Sequence, residues 1–137
     1  MIMTTALAVV LLATSGLAMP PAASVETLLE TDETVLGQEF GYPEGRAKIT
    51  AAIVTVPPGA RLATHLHPVP LFGYVLKGVL IVDYGSQGER VYRRGDSLVE
   101  AIDWPHSGRN GGRGNMKILV VYAGAEGVAN SEPADPK

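Results

Sequence analysis

The sequence contains no cysteine among its 137 residues. Disulfide bonds, thiolate nucleophiles and cysteine-based zinc sites are therefore excluded. Charge is also sparse, since Asp, Glu, Lys and Arg make up 18% of the chain and the net charge is −3. Without a surplus of basic residues, nucleic acid and anionic membranes are poor candidate partners. Long helical patterns and low-complexity tracts are missing from the sequence as well.

Turn residues are abundant instead, with 16 glycines and 10 prolines. They separate short runs of β-branched and other apolar residues, which is typical of a β-sandwich or barrel. A length of 137 residues fits one such domain. The first run, Ile49–Val56, is β-branched on both faces, which predicts a strand that is covered on two sides. The predicted strands are Ile49–Val56, Phe72–Leu76, Val79–Tyr84, Glu89–Arg93, Ser97–Ile102, His106–Asn110 and Met116–Ala123.

Residues 1–23 have the composition of a signal peptide, with cleavage expected near Ala18. The apolar run Ala6–Ala13 is followed by Gly16 and Ala18, the small residues that cleavage needs. The run is shorter than the roughly 20 residues of a membrane span. The first five residues carry no Lys or Arg, which departs from the usual signal, so a buried or disordered apolar N-terminus is the alternative. We expect an exported protein, periplasmic or secreted, without a membrane span in the mature chain.

The rest of the chain divides by composition into three parts. Residues 24–46 form a polar N-terminal arm, in which Ser24–Glu30 could be helical and Val35–Phe40 could be a strand. Residues 47–123 hold the predicted strands. Residues 124–137 are small, acidic and contain proline, which predicts a flexible tail.

The chain has only three histidines, and two of them, His65 and His67, are two residues apart. In an extended strand this spacing points both imidazoles to the same face, about 6–7 Å apart along the backbone. Neutral imidazole is a good ligand for Zn, Fe, Cu and Ni. Histidines that are merely exposed or hydrogen-bonded are the alternative for such a pair.

The third histidine is His106, which lies between Gly95 and Asn110, just as His65 and His67 lie between Gly59 and Gly78. In this arrangement the chain resembles the cupin superfamily. The first cupin motif reads Gly, five residues, His-x-His, three or four residues, Glu, six residues, Gly; the second reads Gly, five residues, Pro-x-Gly, two residues, His, three residues, Asn. The resemblance spans about residues 47–123 and implies an all-β jelly-roll barrel, also called a double-stranded β-helix. The run from His67 to Leu76 resembles small, exported, single-domain cupins of the type-2 kind. The residues in register are Gly59, His65, His67 and Gly78 in the first motif, and Gly95, His106 and Asn110 in the second.

Two departures qualify the resemblance. Leu71 stands where the first motif has its glutamate, and Ala101-Ile102-Asp103 replaces Pro-x-Gly. The resemblance therefore implies one divalent metal ion held by three histidines, with Fe²⁺ or Mn²⁺ favoured and Zn²⁺ or Ni²⁺ possible. Three neutral ligands leave the site at +2, which favours an anionic or bidentate ligand and lowers the pKa of bound water. Glu100 is the candidate for a replacement carboxylate or a catalytic base; pairing with Arg93 or Arg94 is the alternative.

Five further residues are candidates for substrate binding, and each has a structural alternative. Arg61 and Arg109 flank the ligand segments and could hold a substrate carboxylate, or lie on a solvated rim. Tyr74 should point away from His65 and His67 by alternation, which favours core packing. Trp104 could line the pocket mouth or plug the sandwich. Asn110 could touch substrate, although fixing the turn after His106 is the commoner role of such a residue.

Three hypotheses remain open at this stage, of which the third, a purely structural barrel, has the least support because it leaves the placement of the three histidines unexplained. The first is an enzyme with dioxygenase or isomerase chemistry on a small oxygen-rich or anionic substrate, as the resemblance implies. The second is a non-catalytic periplasmic protein that binds a metal or a small molecule. We also expect a homodimer, because pairing removes an open β edge.

Overall fold

The structure is a computed structural model that describes residues 22–136. The predicted signal segment, residues 1–23, lies almost wholly outside this range. Within it, no helix is long and apolar enough to cross a membrane. A single 3₁₀ turn, Gly85–Gln87, joins the fourth and fifth strands. The strands are β1 (Ala47–Val56), β2 (His65–Leu66), β3 (Leu71–Lys77), β4 (Val79–Asp83), β5 (Glu89–Arg93), β6 (Ser97–Val99), β7 (Ser107–Asn110), β8 (Met116–Ala125) and β9 (Glu132–Pro133).

The strands form three antiparallel sheets. The largest has the order β1-β8-β3-β6, a second has the order β5-β4-β7, and β2 pairs with β9. The prediction of an all-β jelly-roll fold is confirmed. Every strand predicted within residues 47–123 has a counterpart, whereas the two-residue strands β2 and β9 were not predicted because they are too short to show periodicity.

The core lies between the two larger sheets, and buried residues alternate with less buried ones along β3 and the first half of β8. Met116, Ile118 and Val120 of β8 are buried, and Val75 of β3 is fully buried beside them. Gly73 lies on the same face of β3, where a Cβ atom would come within 3.0 Å of Ile118. The residue period of two therefore gives each central strand one face toward the core.

The exposure of strand β1 differs from the prediction made from the sequence. The strand was predicted to be covered on two sides, yet Ile49 is 66% exposed and Ile53 is 60% exposed. The reason is its place at the edge of the large sheet, where it pairs with β8 along its whole length. A β-branched run indicates a strand, but it does not distinguish an edge from a central position.

The N-terminal arm is extended where a helix was predicted. Ser24–Glu30 contains no helix, and the Leu28 carbonyl accepts a hydrogen bond of 2.8 Å from Ser97 Oγ of β6. The predicted strand Val35–Phe40 is instead interrupted by a turn at Gly37, whose φ is +72°. Contact with β6 and a left-handed glycine thus override the local helix and strand preferences.

The C-terminal part also differs from the expectation of a flexible tail. Strand β8 continues to Ala125, and β9 pairs with β2 at His65↔Pro133 and Leu66↔Glu132. Composition predicted a flexible tail because it describes local preferences only. The pairing partner of β9 is β2, which lies more than sixty residues earlier in the chain.

Candidate metal centre

Backbone pairing brings the third histidine to the first two. The His65 N–H donates to the His106 carbonyl at 3.0 Å, and the His106 N–H donates to the His65 carbonyl at 2.9 Å. The His67 carbonyl accepts from the Asp103 N–H at 3.0 Å. The turn that replaces Pro-x-Gly therefore still delivers His106 to the same place, with Asp103 at a φ of +51°.

The three imidazoles converge on one point. Their ring centroids are 4.6 to 5.1 Å apart, and one ligand nitrogen of each lies within 4.8 Å of the others. His67 and His106 are each 3% exposed. The alternative of separate, solvated histidines does not fit this arrangement, and the group could hold a metal ion.

Hydrogen bonds fix the same tautomer in all three rings. The Nδ1 atom lies 2.8 Å from a backbone carbonyl oxygen in each case: Ala63 for His65, Asn130 for His67 and Trp104 for His106. Because a carbonyl can only accept, each Nδ1 carries the proton and each neutral ring has its lone pair on Nε2. A backbone partner on the other nitrogen is the usual support of a metal-bound histidine.

Burial keeps two of these rings neutral. It lowers the pKa of His67 to about 4, against the opposing effect of the hydrogen bond to Asn130. It also lowers the pKa of His65, although the bond to Ala63 opposes the change. The free base, which is the form that binds a metal ion, is therefore favoured at neutral pH.

Glu100, the one buried carboxylate among residues 22–136, lies beside the histidines. Its Oε2 is 3.7 Å from His106 Nε2, and its Oε1 accepts from the Tyr84 hydroxyl at 2.6 Å and the Ala101 N–H at 2.8 Å. The Glu100 N–H donates to the Leu71 carbonyl, so the carboxylate enters from the strand beside the position where the first motif lacks its glutamate. Among residues 22–136, no ion pair joins Glu100 to Arg93 or Arg94.

Tyr84 was not predicted as part of the site. It is fully buried, its hydroxyl holds Glu100, and Tyr92 Oη lies 3.5 Å from Tyr84 Oη. Burial raises the pKa of Tyr84, so the hydroxyl remains a donor. The alternation of Leu80 and Val82 along β4, continued by Tyr84 just after its end, is the signal that could have placed Tyr84 inside.

A cavity of about 70 Å³ opens beside the histidines. About 10–15 Å³ of such space holds one water, so an ion and a small ligand fit. Its wall is mainly apolar and includes no Lys or Arg from the described part of the chain. Besides the three histidines and Glu100, the wall consists of Val54, Leu62, Leu71, Leu80, Val82, Gly108, Met116, Ile118, Val120 and Tyr122.

The five substrate-binding candidates lie outside this cavity wall. Arg109 pairs with Glu89 at 2.7 Å, and Arg61 lines a separate depression on the rim. Trp104 supports the site from behind, because its carbonyl holds His106 and its indole N–H donates to the Tyr84 carbonyl.

Tyr74 and Asn110 have other surroundings. Tyr74 alternates with the buried residues of β3 and so lies on the opposite face of the sheet from the histidines. The Asn110 amide donates to the carbonyls of Val56 and Gly114 and accepts from the Gly112 N–H, which fixes the turn after β7.

A jelly-roll barrel with three converging histidines defines a cupin-type protein that could hold a metal ion. A family model described as "Cupin domain" matches residues 52–122, and the chain belongs to this family. No curated protein sequence matches the chain.

Several solved structures share the fold. The oxalate decarboxylase of Lactobacillus farciminis, in a formate complex, has a TM-score of 0.55 and 24% identity over 62% of this chain and 26% of that chain. The DMSP lyase DddQ of Ruegeria pomeroyi DSS-3 has a TM-score of 0.56 and 22% identity, and the match covers 65% of this chain and 44% of that chain. An oxalate oxidase has a TM-score of 0.50 and 28% identity, and the match covers 56% of this chain and 42% of that chain. This chain therefore spans less than half the length of each of these proteins.

Proposed function

We propose that this chain binds one divalent metal ion through the Nε2 atoms of His65, His67 and His106. The observation that carries the proposal is that all three Nδ1 atoms donate to backbone carbonyls, which leaves three lone pairs facing a common point. Nitrogen donors suit Fe²⁺, Mn²⁺, Zn²⁺ and Ni²⁺, and we favour Fe²⁺ or Mn²⁺ from the resemblance to iron-dependent cupins.

Glu100 is proposed as the carboxylate of this centre. Two donor atoms bound to one ion at about 2.1 Å lie about 3 to 4 Å apart, and the distance from Glu100 Oε2 to His106 Nε2 is 3.7 Å. A buried carboxylate is costly unless a cation or strong donors offset the charge. Glu100 has no Lys or Arg partner among residues 22–136, and a divalent cation would supply the missing charge.

A bound ion would act as a Lewis acid toward an oxygen-bearing ligand and would lower the pKa of bound water. The protein orients the three imidazoles, and Tyr84 and the Ala101 N–H hold the Glu100 carboxylate. We propose dioxygenase- or isomerase-type chemistry on a small substrate. The fold neighbours include an oxalate decarboxylase, an oxalate oxidase and a DMSP lyase, which supports small-molecule chemistry as a class.

The residues that line the cavity restrict the class of substrate that we propose. A compact ligand that offers one or two oxygens to the ion and an apolar body to the wall fits it best. A carboxylate held away from the ion would find no Lys or Arg on this wall. We therefore expect diketones and substituted catechols to bind more tightly than dicarboxylates whose second carboxylate cannot reach the ion.

A non-catalytic role is the second candidate, favoured by the few polar groups near the centre. Apart from the three histidines and Glu100, Tyr122 is the one ionisable residue of the wall, and burial raises its pKa. The same site would then sequester a metal or a small metabolite. In either role we propose an exported protein, periplasmic or secreted, on the composition of residues 1–23.

Elemental analysis of protein purified without chelators tests the proposal. We expect close to one divalent ion per chain, with loss in His65→Ala and His106→Ala and retention in Arg113→Ala, an exposed control. Metal-free protein from a metal-replete preparation would contradict metal binding in both roles. Oxygen consumption and product formation with diketones, catechols and thiols then separate the roles, because a dioxygenase consumes oxygen, an isomerase converts the substrate without oxygen uptake, and an unchanged substrate across the panel favours the binder.

A further inference from the structure

The C-terminal segment returns to the strand that carries two of the histidines. We call residues 130–136 the C-terminal strap. Strand β9 within it pairs with β2, and the Ala134 N–H donates to the Thr64 carbonyl at 3.2 Å. At the start of the strap, the Asn130 carbonyl accepts from His67 Nδ1 at 2.8 Å. The strap therefore contacts both the backbone and a side chain of the ligand segment.

The three histidines differ in where their Nδ1 partner comes from. The acceptors for His65 and His106 are carbonyls only two residues upstream, so the local backbone sets these two rings. The acceptor for His67 lies 63 residues away in sequence. The orientation of His67 alone depends on a distant segment of the chain.

A close approach allows this contact. Gly124 lies where a Cβ atom would come within 3.2 Å of Asn130 Oδ1 and 3.3 Å of the Lys48 carbonyl. The absence of a side chain at Gly124 lets the start of the strap lie against β8. From there the Asn130 carbonyl reaches the buried ring of His67, which is 3% exposed.

We infer that the C-terminal strap is a positioning element that holds His67 in its metal-binding tautomer and orientation. Without the Asn130 carbonyl, a neutral His67 could place its proton on either nitrogen and its ring could turn. Loss of such an outer partner typically lowers metal affinity by about 10–100-fold. This inference rests on the proposed metal centre for its effect on affinity, but its effect on the tautomer can be measured without metal.

Two variants test the strap, each with a matched control. A chain that ends at Val128 removes the acceptor, whereas Asn130→Ala keeps the backbone carbonyl and loses only the side chain. Ala134→Pro removes the N–H that bonds to Thr64. Asp135→Pro makes the same change one residue later, where the structure shows no backbone N–H bond.

The readouts are imidazole ¹⁵N shifts of the metal-free protein at neutral pH and Co²⁺ affinity by chelator competition. In the full chain and both controls we expect the Nδ1–H tautomer at all three histidines. In the Val128 chain, and in part in Ala134→Pro, we expect a tautomer mixture at His67 alone and an affinity lower by about 10–100-fold.

The two readouts distinguish the inference about the C-terminal strap from the proposal of metal binding. A full chain that takes no metal would refute the proposed function, while the His67 shifts would still test the strap. Unchanged His67 shifts or unchanged affinity in the Val128 chain would overturn the inference. Equal changes at all three histidines would also overturn it, because the strap would then support the barrel as a whole.

Discussion

We propose that Glu100, which follows β6, takes the place of the glutamate that the first motif lacks on β3. The first cupin motif has Leu71 in place of its glutamate, and Glu100 donates its N–H to the Leu71 carbonyl. Its side chain points into the same cavity as the histidines and is held there by Tyr84. A carboxylate can therefore reach the centre without standing at the motif position.

Replacement by the isosteric amide tests this role. In Glu100→Gln the amide oxygen can still accept from Tyr84 and Ala101, but the negative charge is lost. We expect Mn²⁺ or Co²⁺ affinity to fall by about tenfold or more. Glu126→Gln is the control, because Glu126 pairs with Arg46 in an exposed ion pair that contributes little. Equal affinities in the two variants would show that Glu100 has no role in metal binding.

The buried histidines give the metal-free protein a defined response to acid. The folded state holds His67 with a pKa of about 4, below the unfolded value of 6.5, so the unfolded chain binds more protons between these values. The contribution of His67 to the free energy of unfolding should be fully present above about pH 6.5 and should fall as the pH drops toward 4, by about 3 kcal/mol at most. His65 acts in the same direction.

Urea unfolding of the metal-free protein from pH 7.5 to pH 4 measures this loss. His67→Gln should weaken the slope, since it removes the group whose pKa is lowered most clearly. A metal ion should also be retained to a lower pH than ordinary imidazoles would allow, because buried rings compete poorly for protons. A flat stability profile through this window would contradict the prediction.

At the scale of elements, the turn between β3 and β4 lies against the start of β8. Gly78 has a φ of +81°, and a Cβ atom there would lie 3.0 Å from the Met116 Cα of β8. Gly59 also has a positive φ, +76°, but an added Cβ would meet nothing within 4 Å. Replacing Gly59 by alanine therefore measures the cost of a left-handed backbone alone, whereas replacing Gly78 measures that cost together with a steric contact.

Thermal or denaturant unfolding of Gly78→Ala and Gly59→Ala measures the difference. A left-handed residue with a side chain costs about 1–2 kcal/mol, which is the whole cost expected for Gly59→Ala. Gly78→Ala should cost at least about 1 kcal/mol more, because the contact is with backbone atoms that cannot move aside. Equal losses would show that β8 can shift away from the turn.

For the whole molecule, strand β1 offers a surface for self-association. It is an edge strand, and Ile49 and Ile53 are 66% and 60% exposed on its outer face. Exposed apolar side chains on an edge strand favour pairing with another chain. We propose a homodimer through this face, as the sequence also led us to expect.

Light scattering of the purified protein tests the dimer. We expect the mass of two chains for the natural sequence and of one chain for Ile53→Arg, which places a charge on the outer face of β1. Val91→Arg is the control, because Val91 is 45% exposed on β5 in the other sheet. A monomer mass for the natural sequence at micromolar concentration would reject the proposal.

The sequence by itself determined most of the strands and the three histidines of the candidate metal centre. The period of two and the turn residues reflect local preferences, so β1 and β3 to β8 could be placed within a few residues. The spacing of His65, His67 and His106 in two motifs was enough to identify the family. Edge exposure of β1 and the extended arm were missed, because each depends on neighbours that local preference does not describe.

The tertiary structure alone decided how those ligands are held. Tyr84 meets Glu100 across 16 residues of sequence, and Asn130 meets His67 across 63. Such contacts depend on how strands far apart in the chain are paired, and local periodicity carries no information about them. The three histidines could therefore be identified from the sequence. The partners that orient them could be identified only from the tertiary structure, which places β2, β6 and β9 beside the rest of the barrel.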